Sequence, residues 1–157
     1  MSSQFFLILG ILCALIALVG GIWWWISIRH IPYSDTDVTT IQFPHGSVTA
    51  ELSVSPLKQA VGLSGRTEIA SSTGMLFVFP SPQKQTFWMK GMKLPLDFVW
   101  LANDVVIETR AYVLPPKNIL DMTLIAPSQP ADAVLEVPAG TIQEMGIKVG
   151  DIISIKK

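Results

Sequence analysis

The apolar residues of this chain follow two different patterns along its length. The segment from Phe5 to Ile28 contains no charged residue, whereas apolar and polar residues alternate in short runs from residue 45 onward. At about 1.5 Å per helical residue, the first segment would form a helix of roughly 36 Å, which is long enough to cross a bilayer. We therefore expect an N-terminal tail over residues 1–4, a single transmembrane helix over residues 5–28 and a polar tether over residues 29–44.

A cleaved signal peptide is the alternative interpretation of this apolar segment. Signal peptides begin with a positively charged region, and their apolar run rarely exceeds about 15 residues. The opening residues, MSSQ, carry no lysine or arginine, and no A-x-A cleavage site follows the run. The tryptophans at positions 23–25 are typical of the membrane interface, so an uncleaved anchor is preferred.

Short apolar runs separated by turn residues predict a β-rich domain over residues 45–157. The stretch from Ser47 to Val54 alternates with a period of two, which is typical of a half-buried strand. The pair Asn103-Asp104 between two apolar runs indicates a tight hairpin turn. Because the helices are few and short, we expect an all-β fold, a sandwich or a barrel. Further strands are predicted over residues 74–80, 85–90, 95–102, 105–113 and 132–137.

Two short helices are predicted from their capping signals. Ser55 can cap the first helix and Pro56 suits its first turn, while Gly62 can end it. The second helix should begin with a capping box, in which Thr141 and Glu144 each satisfy a free N–H of the first turn.

The charge balance excludes several classes of function. The chain has 11 lysines and arginines against 12 aspartates and glutamates, without a basic stripe, so we expect no nucleic-acid partner. Its one cysteine, Cys13, lies in the apolar segment, so the domain has no disulfide and no thiol chemistry. The domain contains a single histidine, His45, which leaves no His-based triad or metal cluster. We therefore assign no catalytic residue and expect no metal or cofactor.

The segment FWMKGMKLPLDFVW, residues 87–100, places charged residues among apolar ones. A buried charge must pair or reach water, because an isolated one costs several kcal/mol. In a structural interpretation, ion pairs lock the strands together through Arg66, Lys90, Asp97 and Glu136. In a functional interpretation, a small cleft with one aromatic wall is lined by Arg66, Trp88, Lys90, Lys93 and Asp97. The candidate ligand-binding residues are therefore Arg66, Trp88, Lys90, Lys93, Asp97 and Glu136.

Six segments in one order resemble a known family, the domain of unknown function 192. They are SPLKQAVGLSGR, GMLFVFP, FWMK, PLD, AVLEVPAG and GIKVGD, and the resemblance covers about residues 48–156. It implies a compact jelly-roll-like β-sandwich, commonly exported or membrane-anchored, with no established activity. The chain departs from the commonest family pattern in two places. It has Gly91-Met92 where many members have Asn-Thr, and Ser64 where many have methionine.

These observations favour a membrane-anchored binding or accessory module of the cell envelope. We expect it to bind a small polar or anionic ligand, such as a glycan stacked on Trp88. One alternative is a carboxylate-based hydrolase using Asp97 and Glu136. Another is a scaffold that contacts an envelope protein through the loop over residues 114–130. The lipid bilayer is the expected partner of residues 5–28.

The side of the membrane is indicated by two arguments that disagree. Arg29 follows the apolar segment and no lysine or arginine precedes it, a bias that favours a cytoplasmic domain. The family resemblance implies export. Because one arginine is a small bias, we expect the domain on the extracytoplasmic side.

Overall fold

The computed structural model of the chain describes residues 33–118 and 124–156. The contacts divide the chain into a unit of residues 1–30 and a unit of residues 31–157, and the described residues belong to the second. The expected tail and transmembrane helix, residues 1–28, lie outside them. Within the described part of the chain, no helix is long and apolar enough to cross a membrane.

The described residues form nine strands and two short helices. The first half contains β1 (Val38–Phe43), β2 (Gly46–Ser53), α1 (Pro56–Val61), β3 (Thr73–Gln83) and β4 (Phe87–Trp88). The second half contains β5 (Leu96–Ala102), β6 (Val105–Val113), β7 (Leu124–Ile125), β8 (Ala131–Pro138), α2 (Thr141–Met145) and β9 (Ser154–Lys156).

Seven of these strands form one sheet in the order β6-β5-β8-β3-β2-β1-β9, and β4 and β7 form a separate two-stranded ribbon. Neighbouring strands are antiparallel except β2 and β3, which are parallel because the crossover through α1 joins them. The Asn103-Asp104 hairpin is confirmed, since both residues have positive φ, 51° and 63°. This left-handed pair matches the twist of the strands that it connects.

Backbone hydrogen bonds connect the two ends of the strand order. The N–H of Val106 donates to the carbonyl of Asp151 over 2.9 Å, and the N–H of Ile153 donates to the carbonyl of Asp104 over 2.9 Å. The chain then continues directly into β9, which pairs with β1. The segment 150–156 therefore covers both sheet edges and closes a circuit of strands, which protects edges that would otherwise pair with other chains.

The all-β class with short helices is confirmed, but the strand arrangement differs from the expected jelly-roll sandwich. The described strands form one large sheet with joined ends, a parallel pair and a small ribbon. Alternating apolar and polar residues predict that a segment is a strand, but they do not indicate which other strand it pairs with. The order of the strands in the sheet therefore could not be predicted from the sequence. The sheet also starts earlier than expected, because β1 occupies residues 38–43 of the predicted tether.

The two faces of the sheet are covered by different parts of the chain. The inner face carries the larger apolar cluster, which includes Leu76, Val99, Leu135 and Val137 from the central strands. The opposite face, here called the cavity face, carries Met75, Phe77, Phe98, Trp100 and Val134, packed against Leu63, Met89, Met92 and Ile125. Because both faces are covered, β8 is buried along nearly its whole length.

Helix α1 stands beside the cavity face and is fixed by the caps that the sequence predicts. The Ser55 hydroxyl accepts a hydrogen bond from the N–H of Lys58 over 3.2 Å, with Pro56 in the first turn. Gly62 ends the helix with φ of 52°. The carboxylate of Asp35 accepts the N–H groups of Val54 and Ser55, which ties the helix start to the chain before β1.

Candidate functional site

Glu136 projects from β8 onto the cavity face. In the strand register it lies opposite Met75 of β3 and Phe98 of β5, so both of its neighbours in the row are apolar. Only 5% of the residue is exposed. Within residues 33–118 and 124–156, no hydrogen bond or ion pair reaches its carboxyl group. A buried polar group without a partner is rare in folded proteins, so this one requires an explanation.

The environment of Glu136 changes its protonation. Burial raises the pKa of the Glu136 carboxyl to about 8, because the charged form loses its hydration. At neutral pH the group is therefore mostly a neutral carboxylic acid, with one O–H donor and one free carbonyl oxygen.

Glu136 lines a cavity of about 220 Å³. Its walls include four aromatic side chains, Phe77, Phe79, Phe87 and Trp88. The Phe87 ring meets the edge of Phe77 at a centroid distance of 5.2 Å and that of Phe79 at 6.4 Å. The cavity reaches solvent at a rim formed by Val61 and Trp88, which are 53% and 48% exposed. A cavity with aromatic walls and a small number of polar side chains is the usual form of a small-molecule site, and the polar side chains here are Gln59, Ser64, Gln85, Thr86 and Glu136.

Gln59 of α1 supplies a second polar group to the cavity wall. Its amide nitrogen donates to the carbonyl of Ser53 over 3.3 Å and to the carbonyl of Val78 over 3.1 Å. Both amide hydrogens are therefore used, and only the oxygen Oε1 remains for a ligand. These two bonds also hold α1 against β2 and β3, which fixes that side of the cavity.

The rim combines Trp88 with a lysine. The Lys90 ammonium lies 5.9 Å from the centroid of the Trp88 ring, which is a cation–π arrangement. Lys90 and Lys93 are both exposed, and neither lines the cavity. Trp88 and Glu136 are therefore the two candidate residues that the structure brings together, with Lys90 beside them at the surface.

Asp97 has a different role, on the other face of the sheet. It lies opposite Val137 in the register and is fully buried. Its Oδ2 accepts the N–H groups of Gly140 and Ile142 over 3.0 and 2.9 Å, and its Oδ1 accepts the N–H of Tyr112 over 2.8 Å. The carboxylate thus caps α2 and holds the left-handed Tyr112, whose φ is 55°.

The predicted capping box of α2 is corrected by this arrangement. Gly140 occupies the N-cap position without a side-chain bond, and the Thr141 hydroxyl donates to the carbonyl of Pro138 over 2.7 Å. The cap comes instead from Asp97, a residue 43 positions before Gly140. Gly146 ends the helix as predicted, with φ of 60°.

Arg66 belongs to a second depression, of about 680 Å³, which is separate from the cavity in its lining residues. Its guanidinium donates two hydrogen bonds to the Glu51 carboxylate, over 2.7 and 2.9 Å. This pairing lowers the pKa of Glu51 and raises that of Arg66. Because both charges are already satisfied, the second depression offers little for a ligand.

The ion pairs expected between Arg66, Lys90, Asp97 and Glu136 do not form among the described residues. Ion pairs found there join Glu51 to Lys58 and Arg66, and Glu108 to Arg110. Asp97 and Glu136 project to opposite faces, so they do not form the carboxylate pair that the hydrolase alternative requires. That alternative therefore loses its structural basis.

Part of the loop expected over residues 114–130 is a strand. Residues 124–125 form β7 and pair with β4, so that Leu124 lies opposite Trp88. Leu114 and Leu124 are exposed, and Ser128 donates to the Glu108 carboxylate from both its N–H and its hydroxyl.

Both departures from the family pattern lie in the cavity wall. Ser64 and Met92 line it, and Ser64 donates its hydroxyl proton to the carbonyl of Lys90 over 3.0 Å. A Cβ atom at Gly91 would lie 3.4 Å from the Cβ of Ser64, so the two departures are in contact. The residues that sequence reasoning missed are Gln59, Phe77, Phe79 and Phe87. Phe77 and Phe79 are two residues apart in a predicted strand, so the sequence could have indicated that both aromatic side chains lie on the same face.

The described ranges contain no cluster of three His, Cys, Asp or Glu side chains arranged to hold a metal ion.

Comparisons with known proteins identify relatives without an established activity. The family DUF192, described as uncharacterized, matches residues 39–155. A Sinorhizobium meliloti structure described as a candidate transcription regulator shares 27% identity, with a TM-score of 0.71 over 78% of this chain and 97% of its own. A Novosphingobium aromaticivorans protein of unknown function shares 30% identity, with a TM-score of 0.66 over 82% of this chain and 95% of its own. No curated protein matches the chain.

Proposed function

The chain belongs to DUF192, a family without an established activity, and we propose that its β-domain binds a small molecule in the cavity over Glu136. One observation carries this proposal. The Glu136 carboxyl group is buried at the wall of a cavity that reaches solvent, and no partner for it lies within residues 33–118 and 124–156. A buried acid without a partner lowers stability, and strongly perturbed acids are concentrated at functional sites, so Glu136 is a candidate for function.

The buried acid changes the kind of ligand that fits best. The expected ligand was small and either polar or anionic. An anionic ligand requires cations in the cleft, but Arg66 is paired with Glu51 and the lysines stay at the surface. An anionic ligand would place its charge beside Glu136 in a low-dielectric site. The cavity therefore favours a polar ligand that is neutral or cationic, with Trp88 as part of the wall.

A thermal-shift screen of the full chain in a non-ionic detergent tests the proposal. A ligand that binds only the folded state raises stability by about 2.7 kcal/mol at a concentration of 100 Kd. We expect at least one compound from a diverse panel to raise the melting temperature, and Glu136→Gln to reduce that shift. The matched control is Glu68→Gln, an exposed acid of the second depression. Hits that are insensitive to Glu136 and to Trp88→Ala would remove the cavity as their site.

We also propose that residues 5–28 anchor this domain on the extracytoplasmic side of a membrane. The uncharged run and the family resemblance support the proposal. Intact mass measurement of the purified protein should find residues 1–30 still attached. A reporter fused after Lys157 should be active outside the cytoplasm, and activity confined to the cytoplasm would reverse the orientation.

A further inference from the structure

We infer that the ligand of the cavity is a compact organic cation with N–H donors, such as a protonated amine or an amidinium group. The inference rests on the proposed binding function and names its ligand class. It follows from which polar atoms remain available at the wall, from the aromatic faces around them and from the charges nearby.

Three polar residues of the wall, Gln59, Ser64 and Glu136, can offer acceptor atoms to a ligand, and the wall also includes Gln85 and Thr86, whose side chains can donate or accept. Gln59 has used both amide hydrogens on backbone carbonyls, so its Oε1 can only accept. Ser64 has used its proton on the carbonyl of Lys90, which leaves its oxygen lone pairs. Glu136 accepts with both oxygens once it is ionised. A ligand that complements Gln59, Ser64 and the ionised Glu136 must bring hydrogens to these three groups, as ammonium and amidinium groups do.

The aromatic walls favour the same charge. Ring faces carry negative potential and attract cations, most strongly at tryptophan. The chain shows this attraction at the rim itself, where the Lys90 ammonium lies over Trp88 at 5.9 Å from the ring centroid. At about 220 Å³ the cavity is smaller than the drug-sized sites of about 300–1,000 Å³, so a one-ring amine is the appropriate size.

No other ionisable side chain competes for the cation inside the cavity. Among its described lining residues, Glu136 is the only one that titrates. Its neighbours in the sheet are Met75 and Phe98. Beyond Met75, the next position in the row is Glu51 on β2, and that carboxylate is paired with Arg66.

The lysines on the elements beside the cavity do not contact Glu136. Lys58 of α1 donates to the carbonyl of Asp35, and Lys90 stays at the rim. Among the described residues, a bound cation therefore has Glu136 as its one charge partner. Its arrival favours the carboxylate and drives the carboxyl proton into solvent, so one proton leaves for each cation that binds.

A charge series of matched probes tests this inference on the full chain in non-ionic detergent at pH 7. The probes are benzylamine, benzamidine, benzyl alcohol and benzoate, which share a ring and differ in charge. Titration calorimetry in two buffers of different ionisation enthalpy gives both affinity and proton release. We expect the cations to bind at least about tenfold more tightly than the alcohol, with nearly one proton released per cation.

Three variants identify the group responsible. Glu136→Gln should lower cation affinity at least about tenfold and abolish proton release, while Glu68→Gln changes neither. Lys90→Met should strengthen cation binding about twofold, because it removes a like charge and frees one face of Trp88.

The possible failures are distinguishable. Tighter binding of benzyl alcohol or benzoate in a Glu136-dependent manner would overturn the cation inference and leave the binding function standing. Cation binding without proton release, or insensitive to Glu136→Gln, would also overturn it. Absence of binding by all four probes at millimolar concentration, together with no Glu136-dependent hit in the thermal-shift panel, would overturn the proposed function as well.

Discussion

Asp97 and Glu136 are buried carboxyl groups on neighbouring strands that project to opposite faces of one sheet. Asp97 accepts three backbone N–H groups, whereas Glu136 has no partner among the described residues. The same functional group, a carboxyl, thus serves as a structural cap on one face and as an unsatisfied acid in a cavity on the other. The two positions should respond to mutation in different ways.

Replacing Asp97 should cost stability without affecting the cavity. Asp97→Asn replaces a charged acceptor with a group whose NH₂ faces a backbone donor, so we expect a loss of about 2–4 kcal/mol in the free energy of unfolding. Urea unfolding measures this loss. The exposed turn variant Asp104→Asn is the control and should stay within about 0.5 kcal/mol. A loss below 1 kcal/mol for Asp97→Asn would show that other groups cap α2.

Glu136 should make stability fall as the pH rises. In the unfolded chain the carboxyl has its ordinary pKa of 4.5, and burial raises it to about 8 in the folded state. Between these values the folded protein binds a proton that the unfolded chain has released, so stability decreases by about 1.4 kcal/mol per pH unit. Above pH 8 the decrease ends.

The variant Glu136→Gln isolates this contribution. It cannot ionise, so the difference in unfolding free energy between variant and wild type should grow from pH 5 to pH 8 in favour of the variant. The acids with lowered pKa, Asp35, Glu51 and Glu108, act at lower pH and cancel in the comparison. Parallel stability profiles across this pH range would contradict a buried, unpaired Glu136.

Trp88 and Lys90 should matter more for binding than for folding. Lys90 is exposed, and the contact of its ammonium that the described residues show is with the half-exposed Trp88 ring, so Lys90→Met should keep the melting temperature within a few degrees. Trp88→Ala should weaken binding of any cavity ligand several-fold while lowering stability little. If Lys90→Met instead destabilised the domain as strongly as Asp97→Asn, the lysine would have a structural partner after all.

The chain before residue 40 should contribute to folding. A chain beginning at residue 31 retains Asp35, which accepts the N–H groups of Val54 and Ser55, and the first residues of β1. A chain beginning at Thr40 loses both. We expect the shorter chain to unfold at lower urea concentration, by several tenths molar or more. Equal urea midpoints for the two chains would show that residues 31–39 add no stability and act only as a tether.

Local elements of this fold were predictable because their signals are local. Ser55, Pro56 and Gly62 define α1 within a few residues, and Asn103-Asp104 requires the left-handed turn that the structure shows. The cap of α2 was not predictable in the same way. Thr141 and Glu144 match the capping-box motif, but the backbone N–H groups at the start of α2 donate to Asp97, which is distant in sequence.

The site was predictable only in part, for a related physical reason. The sequence identified Trp88 and Glu136 as unusual residues but placed Lys90, Asp97 and Arg66 with them. Which charges meet depends on strand pairing and on the face that each residue occupies. The pairing of Arg66 with Glu51 requires the parallel neighbours β2 and β3 and the position of residue 66 after α1, which periodicity does not reveal.

The central claim is tested most directly by mapping a thermal-shift hit onto the protein by NMR, in the wild type and in Ser64→Met. Met92 and Ser64 face the cavity, so the longer side chain at position 64 should fill space that the ligand needs. The account predicts chemical-shift changes centred on Phe87, Trp88 and the Glu136 carboxyl carbon, and at least about tenfold weaker binding to a folded Ser64→Met. Shifts centred elsewhere, with binding unchanged in Ser64→Met, would contradict it.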